Sequence, residues 1–176
     1  NWANEVYKPT YITQHTLNLT GGSEVGRYLV SFDYLDQPGL VKNTEYQRYS
    51  YRVNTDLNIG KMLKVSSDVT YRHVDRLWPE SLGSVQYDVW SMQPTSPVRY
   101  ENGDYRLDKQ NRNAISLMDL DVVGEDRYNM DVVYGQVKAD FEPIKDLVFT
   151  GMASLNGSWD RRKIHYKNYK YYNEAD

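Results

Sequence analysis

The chain has 176 residues, no cysteine, and 21 basic against 24 acidic residues for a formal net charge of -3. Disulfide scaffolds, thiolate chemistry and Cys-ligated zinc are thereby excluded, and no basic stripe suited to a phosphate backbone is present, so nucleic acid is not an expected partner. The apolar content is carried by 17 Tyr and 4 Trp against only 3 Phe, and such wet-ended rings favour half-buried strands and membrane-water interfaces over a compact soluble core.

Asn1-Trp2-Ala3 lacks the basic start of a signal peptide, and no apolar run approaches the roughly 18 to 20 residues of a spanning helix. From residue 15 onward the pattern has a period of two. Leu17 and Leu19 alternate with Thr16, Asn18 and Thr20; Gly21-Gly22-Ser23 breaks the chain; Tyr28, Val30, Phe32 and Tyr34 resume it. After a longer connection over 36–44, Tyr49, Tyr51, Val53, Thr55, Leu57 and Ile59 share one face and Arg48, Ser50, Arg52, Asn54, Asp56 and Asn58 the other. A turn at Gly60-Lys61 leads into Leu63, Val65, Val69 and Tyr71 against Lys64, Ser66, Asp68, Thr70 and Arg72, which predicts a hairpin.

The next stretch, 77–126, carries no such pattern, and a loop of roughly 50 residues is an anomaly inside a compact soluble domain. Beyond it Val133, Val137, Ala139 and Phe141 alternate with Tyr134, Gln136, Lys138 and Asp140. Pro143-Ile144-Lys145-Asp146 then turns the chain into Leu147, Phe149, Gly151, Ala153, Leu155, Gly157 and Trp159. The sequence thus predicts six strands and no helix. At roughly 9 to 14 residues they reach or exceed the length needed to cross a membrane at a tilt, against a globular mode of about 5 to 6.

Short and long connections alternate, which is the asymmetry of outer-membrane barrels, whose short turns are periplasmic and long loops extracellular. Single-chain bacterial barrels begin at about 8 strands, so six would be part of something larger.

The ordered segments His15-Thr16-Leu17-Asn18-Leu19-Thr20-Gly21-Gly22-Ser23-Glu24, Ser31-Phe32-Asp33-Tyr34-Leu35-Asp36-Gln37-Pro38-Gly39 and Tyr46-Gln47-Arg48-Tyr49-Ser50-Tyr51-Arg52-Val53-Asn54 resemble the first barrel hairpins of SusC/RagA-like TonB-dependent outer-membrane transporters. Pro94-Thr95-Ser96-Pro97-Val98 with Asn102-Gly103-Asp104-Tyr105, and Phe141-Glu142-Pro143-Ile144-Lys145-Asp146-Leu147, continue the likeness downstream. Pro38 departs from it, since the family more often carries an acidic residue there. The resemblance implies an all-β antiparallel meander within a plugged transmembrane barrel of about 22 strands. It places 1–14 at the end of an extracellular loop, four strands over 15–76, a long extracellular loop over 77–126, two strands over 127–165 and the start of the next loop at 166–176, without the plug and the rest of the barrel. It further implies import of oligosaccharides or peptides through the bacterial outer membrane, a SusD-like surface lipoprotein as lid, and a TonB complex reached through segments not present here.

Two environments fit the Tyr-rich face, lipid or a soluble core, and strand length favours lipid. The opposite face, with Arg48, Arg52, Asp56, Asp68 and Arg72, would line the lumen or, in a soluble sheet, meet solvent. Trp78, Tyr87, Trp90, Tyr100 and Tyr105 in the long loop are candidate ligand or lid contacts, because exposed rings stack on sugar faces; packing within the loop is the other reading. His15, His73 and His165 lack paired ligand spacing, no catalytic constellation is visible, and neither an enzyme nor a cofactor or metal is expected. The rival to a transporter is a soluble β-sheet module that grips a polysaccharide with its aromatic face.

Overall fold

The computed structural model of the chain describes residues 2–107 and 113–168. Six antiparallel strands form one sheet in chain order: β1 (Thr13–Gly22), β2 (Gly26–Asp36), β3 (Glu45–Ile59), β4 (Leu63–Pro79), β5 (Gly124–Ile144) and β6 (Leu147–Tyr166). The loop start expected at 166–176 lies, from residue 169 on, outside the described residues. Strands run from 10 to 21 residues, longer at their upper limit than the alternation alone suggests. Connections at 23–25, 60–62 and 145–146 are short, and those at 37–44 and 80–123 are long.

Local chemistry sets the turns. Gly60 takes φ +66°, which a side chain rarely adopts, and Asp146 reaches the left-handed region at φ 69° in the last turn. Pro143 cannot donate to the ladder, and the β5–β6 register shifts between Phe141 and Ile144 around it. Gly124 enters β5 at φ +95°, where an added Cβ would come within 1.9 Å of the His165 carbonyl oxygen. Only a residue without a side chain lets the long loop rejoin the sheet so close to β6.

The register converts each strand's alternation into rows across the sheet. One face carries His15-Tyr34-Tyr49-His73-Asp131-Trp159, then Leu17-Phe32-Tyr51-Tyr71-Val133-Gly157, then Leu19-Val30-Val53-Val69-Gly135-Leu155. The same face ends near the short turns with Ile59-Leu63-Phe141-Phe149 and, beyond His15-Tyr34, with the polar row Thr13-Asp36-Gln47-Asp75-Asn129-Arg161. The band from Tyr49 to Ile59 therefore spans about 33 Å along the strand at ~3.3 Å per residue, or about 25 Å vertically at a ~40° tilt, the apolar height of an outer-membrane barrel.

The sheet itself has almost no core. Leu17, Leu19, Leu57, Phe149, Leu155 and Trp159 stand between 46% and 70% exposed, and the buried apolar cluster lies in the long connections instead. There Trp2, Val6, Val41, Val85, Val89, Met92, Leu117, Met118 and Val123 pack together. Two helices, α1 (Trp2–Val6) and α2 (Leu82–Ser91), belong to this cap, with a 3-10 turn at Ser116–Met118. The sequence reading predicted no helix. Leu82, Val85, Val89 and Met92 do have helical spacing, but the run is short and Tyr87 and Trp90 on its other side blur the amphipathic contrast.

Candidate functional site

Three surfaces carry chemistry: the aromatic face, the polar face and the cap over the long-connection end. On the aromatic face rings meet across strands. His15 and Tyr34 stack at 6.5 Å, Tyr34 and Tyr49 lie 5.0 Å apart, and Tyr49 and His73 6.3 Å. In the next row Phe32-Tyr51 and Tyr51-Tyr71 are 5.1 and 6.1 Å apart. Asp131 completes the girdle, accepting a 2.6 Å hydrogen bond from the Tyr71 hydroxyl with His73 Nδ1 at 2.8 Å from the same oxygen. A ring that is apolar in body and polar at its tip suits the boundary between hydrocarbon and water.

The register sets Arg48, Arg52, Asp56, Asp68 and Arg72 together on the opposite, polar face. Arg48, Asp56 and Asp68 join a hydrogen-bonded lattice, and Arg48, Arg52 and Arg72 line an open cleft on the same face. Asp33 accepts from Gln14 at 2.6 Å, Thr16 at 2.9 Å and Arg48 at 3.0 Å; Asp56 accepts from Ser66 at 2.6 Å; Asp140 accepts from Lys138 at 2.8 Å and Thr150 at 2.7 Å. Among the described residues no group of three or more His, Cys, Asp or Glu side chains is placed to hold a metal ion.

In the cap the candidate aromatics part company. Trp78 is half-buried under the Arg76 guanidinium, 3.8 Å from its ring centroid. Tyr100 is also half-buried, with Arg106 over its ring at 5.9 Å. Tyr105 stacks under Arg99 at 3.7 Å and donates its hydroxyl to Asp119 at 2.7 Å. Burial, helped by that carboxylate, pushes the Tyr105 phenol up to about 12. Tyr87 and Trp90, 65% and 80% exposed, are left on the outer side of α2. A cleft of about 430 Å3 opens between the 37–45 connection and α2, lined by Tyr7, Leu40, Tyr46, Trp78, Leu82 and Gln86.

Tyr105→Phe is expected to lower the cap's stability by about 1 kcal/mol, the net value of one such hydrogen bond, and to speed proteolytic cutting of the cap. Unchanged cutting would show that the hydroxyl contributes nothing. Because the raised phenol favours the neutral form, its contribution is whole below the ordinary tyrosine range near 10 and is lost as pH climbs toward 12.

One tie holds the cap and a second clamps the strand ends beneath it. Asn113, fully buried, donates to the Val98 and Arg106 carbonyls at 2.8 and 2.7 Å and accepts from the Ile115 and Ser116 amides. Asp126, 5% exposed, takes Arg162 through both Nε at 2.9 Å and Nη2 at 2.8 Å, with Arg76 at 3.4 Å on its other side. The sequence reading missed Asp126. Its only trace there is parity: Arg76, Asp126 and Arg162 continue the polar-face alternation of β4, β5 and β6.

No family model matches the chain. It is 30% identical over 106 residues, 60% of its length, to TonB-dependent receptor P26 of Formosa agariphila, and 25% identical over 105 residues to TonB-dependent receptor SusC of Bacteroides thetaiotaomicron. The chain spans about a tenth of the length of each of these relatives. In fold it is similar to a chain of the RagAB peptide importer, with a TM-score of 0.74 at 22% identity over 92% of this chain and 19% of that one. Sequence and fold together make the chain similar to a six-stranded barrel segment of SusC/RagA-like TonB-dependent receptors.

Proposed function

We propose that the chain is a wall segment of a TonB-dependent importer of the bacterial outer membrane, which carries oligosaccharides or peptides inward together with a SusD-like surface lipoprotein. The observation that carries this reading is the aromatic face: an apolar band about 25 Å high, bounded by rings and closed by a polar row, on a sheet that buries neither side. Lipid would cover that band. The polar face, with Arg48, Arg52, Asp56, Asp68 and Arg72, would line the lumen against a plug. The long connections would stand outside the cell, where Tyr87 and Trp90 are open to a ligand or a lid and Trp78, Tyr100 and Tyr105 serve to build the cap. The peptide importer similar in fold and the SusC relative support this class of cargo and this class of partner.

In this reading the chain performs no bond chemistry. Import depends on opening a path past the plug, and the wall contributes rigidity and a wet inner surface. The test is extraction of the native polypeptide from its membranes and measurement of its intact mass. A mass several-fold above 20.7 kDa in a detergent-dependent outer-membrane fraction is the expected result. A mass near 20.7 kDa in the soluble fraction would overturn it in favour of a soluble polysaccharide-binding module.

A further inference from the structure

Charge is unevenly spread just above the aromatic girdle on the outward face. Over β2 to β4 the charged positions there are Asp36, Asp75 and Glu45, whereas over β5 and β6 the cations Arg127, Arg161 and Lys163 outnumber Glu125, which stands opposite His165. Alternation along β6 puts Trp159, Arg161, Lys163 and His165 on one face, and Arg162 on the other, where it reaches Asp126. The cations therefore climb directly from the girdle tryptophan, at about 6.6 Å per step.

Lys163 stands opposite Arg127 in the register, and like charges directly opposite on neighbouring strands repel. Two acids within the patch offset part of this. Glu125 contacts Arg127 at 3.4 Å, and Asp131 is engaged by Tyr71 and His73, although it also feels the charge of Arg161. On β6, whose only strand neighbour among the described residues is β5, Arg161 and Lys163 are exposed and make no ion pair within those residues. A surface that accepts cross-strand repulsion at the depth where a membrane carries its headgroup phosphates is suited to an anion from that layer.

We propose that Arg127, Arg161, Lys163 and His165 form an outward seat for the phosphate of a lipid headgroup in the leaflet on the long-connection side. The seat rests on the membrane-spanning reading above. Trp159 would pack against the upper acyl chain while Arg161 and Lys163 hold the phosphate, with Arg127 closing from β5. The acidic stretch over β2 to β4 repels the same headgroups, so lipid would be held at one sector of the wall.

The test uses the intact polypeptide that carries these strands, purified in neutral maltoside micelles and titrated with a bisphosphorylated glycolipid or with the same lipid stripped of its phosphates. Retained lipid is counted by native mass spectrometry. Arg161→Gln with Lys163→Gln is expected to weaken binding of the phosphorylated lipid about thirty-fold at low salt and to leave the stripped lipid unaffected. Arg161→Lys with Lys163→Arg, which keeps the charge, should retain binding, as should Lys61→Gln in the β3–β4 turn at the opposite end of the band. Equal affinity for the two lipids, undiminished binding in the double Gln variant, or an equal loss from Lys61→Gln would overturn the seat. Polypeptide that stays monodisperse without detergent would overturn the membrane reading itself, before any lipid is added.

Discussion

Val53→Arg is expected to destabilise the folded protein in membranes by about 2–4 kcal/mol, the cost of an arginine at the mid-plane of a lipid-facing strand. Val53 lies three rows below the polar boundary set by Gln47 and three above Ile59, flanked by Val30 and Val69. The counterpart is Gln136→Arg on the opposite face, beside Asp68, where a cation meets water and a carboxylate and should cost less than about 1 kcal/mol. Denaturant unfolding in lipid vesicles measures both. Similar values for the two would mean that lipid does not cover the Tyr-rich face. A reversal would invert the assignment of inside and outside.

The second large effect is expected from Asp126→Ala. This carboxylate is nearly buried and bridges β4 to β6, so its removal leaves Arg76 and Arg162 facing each other without an anion. Breaking such a pair costs about 3–5 kcal/mol in a full interior, and because the Arg162 side chain is 55% exposed a value of about 3 kcal/mol is expected here. The loss should appear first in the cap, as faster amide exchange in α2 and around Met118 while β2 and β3 keep their protection. Uniform loss across the sheet would show that the clamp supports the strands instead.

Acid offers an independent check. The hydrogen bond from Arg162, followed by the charges of Arg162 and Arg76, holds the Asp126 carboxyl below its ordinary 3.8. A depressed carboxylate stabilises the fold above the unfolded value and ceases to do so as pH falls through the folded one. Cap protection should therefore be level at neutral pH and drop only below about 3.8, and the drop should be absent in Asp126→Ala.

The strands were legible because alternation is a local signal: Tyr49 to Ile59 announces two faces with no knowledge of neighbours. Register made the prediction stronger, since the rows joining Leu17, Phe32, Tyr51 and Tyr71 are each strand's alternation carried across its hairpin. What escaped the sequence is what depends on where distant segments arrive. The contacts of Trp2 with the Gln93 carbonyl and of Asn43 with that of Met118 join residues 91 and 75 positions apart. Nothing local to Trp2 or Asn43 marks them as cap residues. The five candidate loop aromatics had the same composition signal, yet arginine stacking and burial took three of them into the cap and left Tyr87 and Trp90 outside.

The order β1 to β6 also bears on time. Each strand pairs only with its neighbours in sequence, so most of the sheet can zip hairpin by hairpin across connections of a few residues. The step from β4 to β5 is different, because the chain must close across residues 80–123 before the first pair forms. Against a three-residue turn, that closure costs about 2–3 kcal/mol of extra chain entropy if the segment is a flexible coil. A cap that collapses early around Val85, Val89, Leu117 and Met118 would shorten the effective tether and bring Gly124 to Pro79, which makes the folded loop an assembly jig for the sheet's slowest seam.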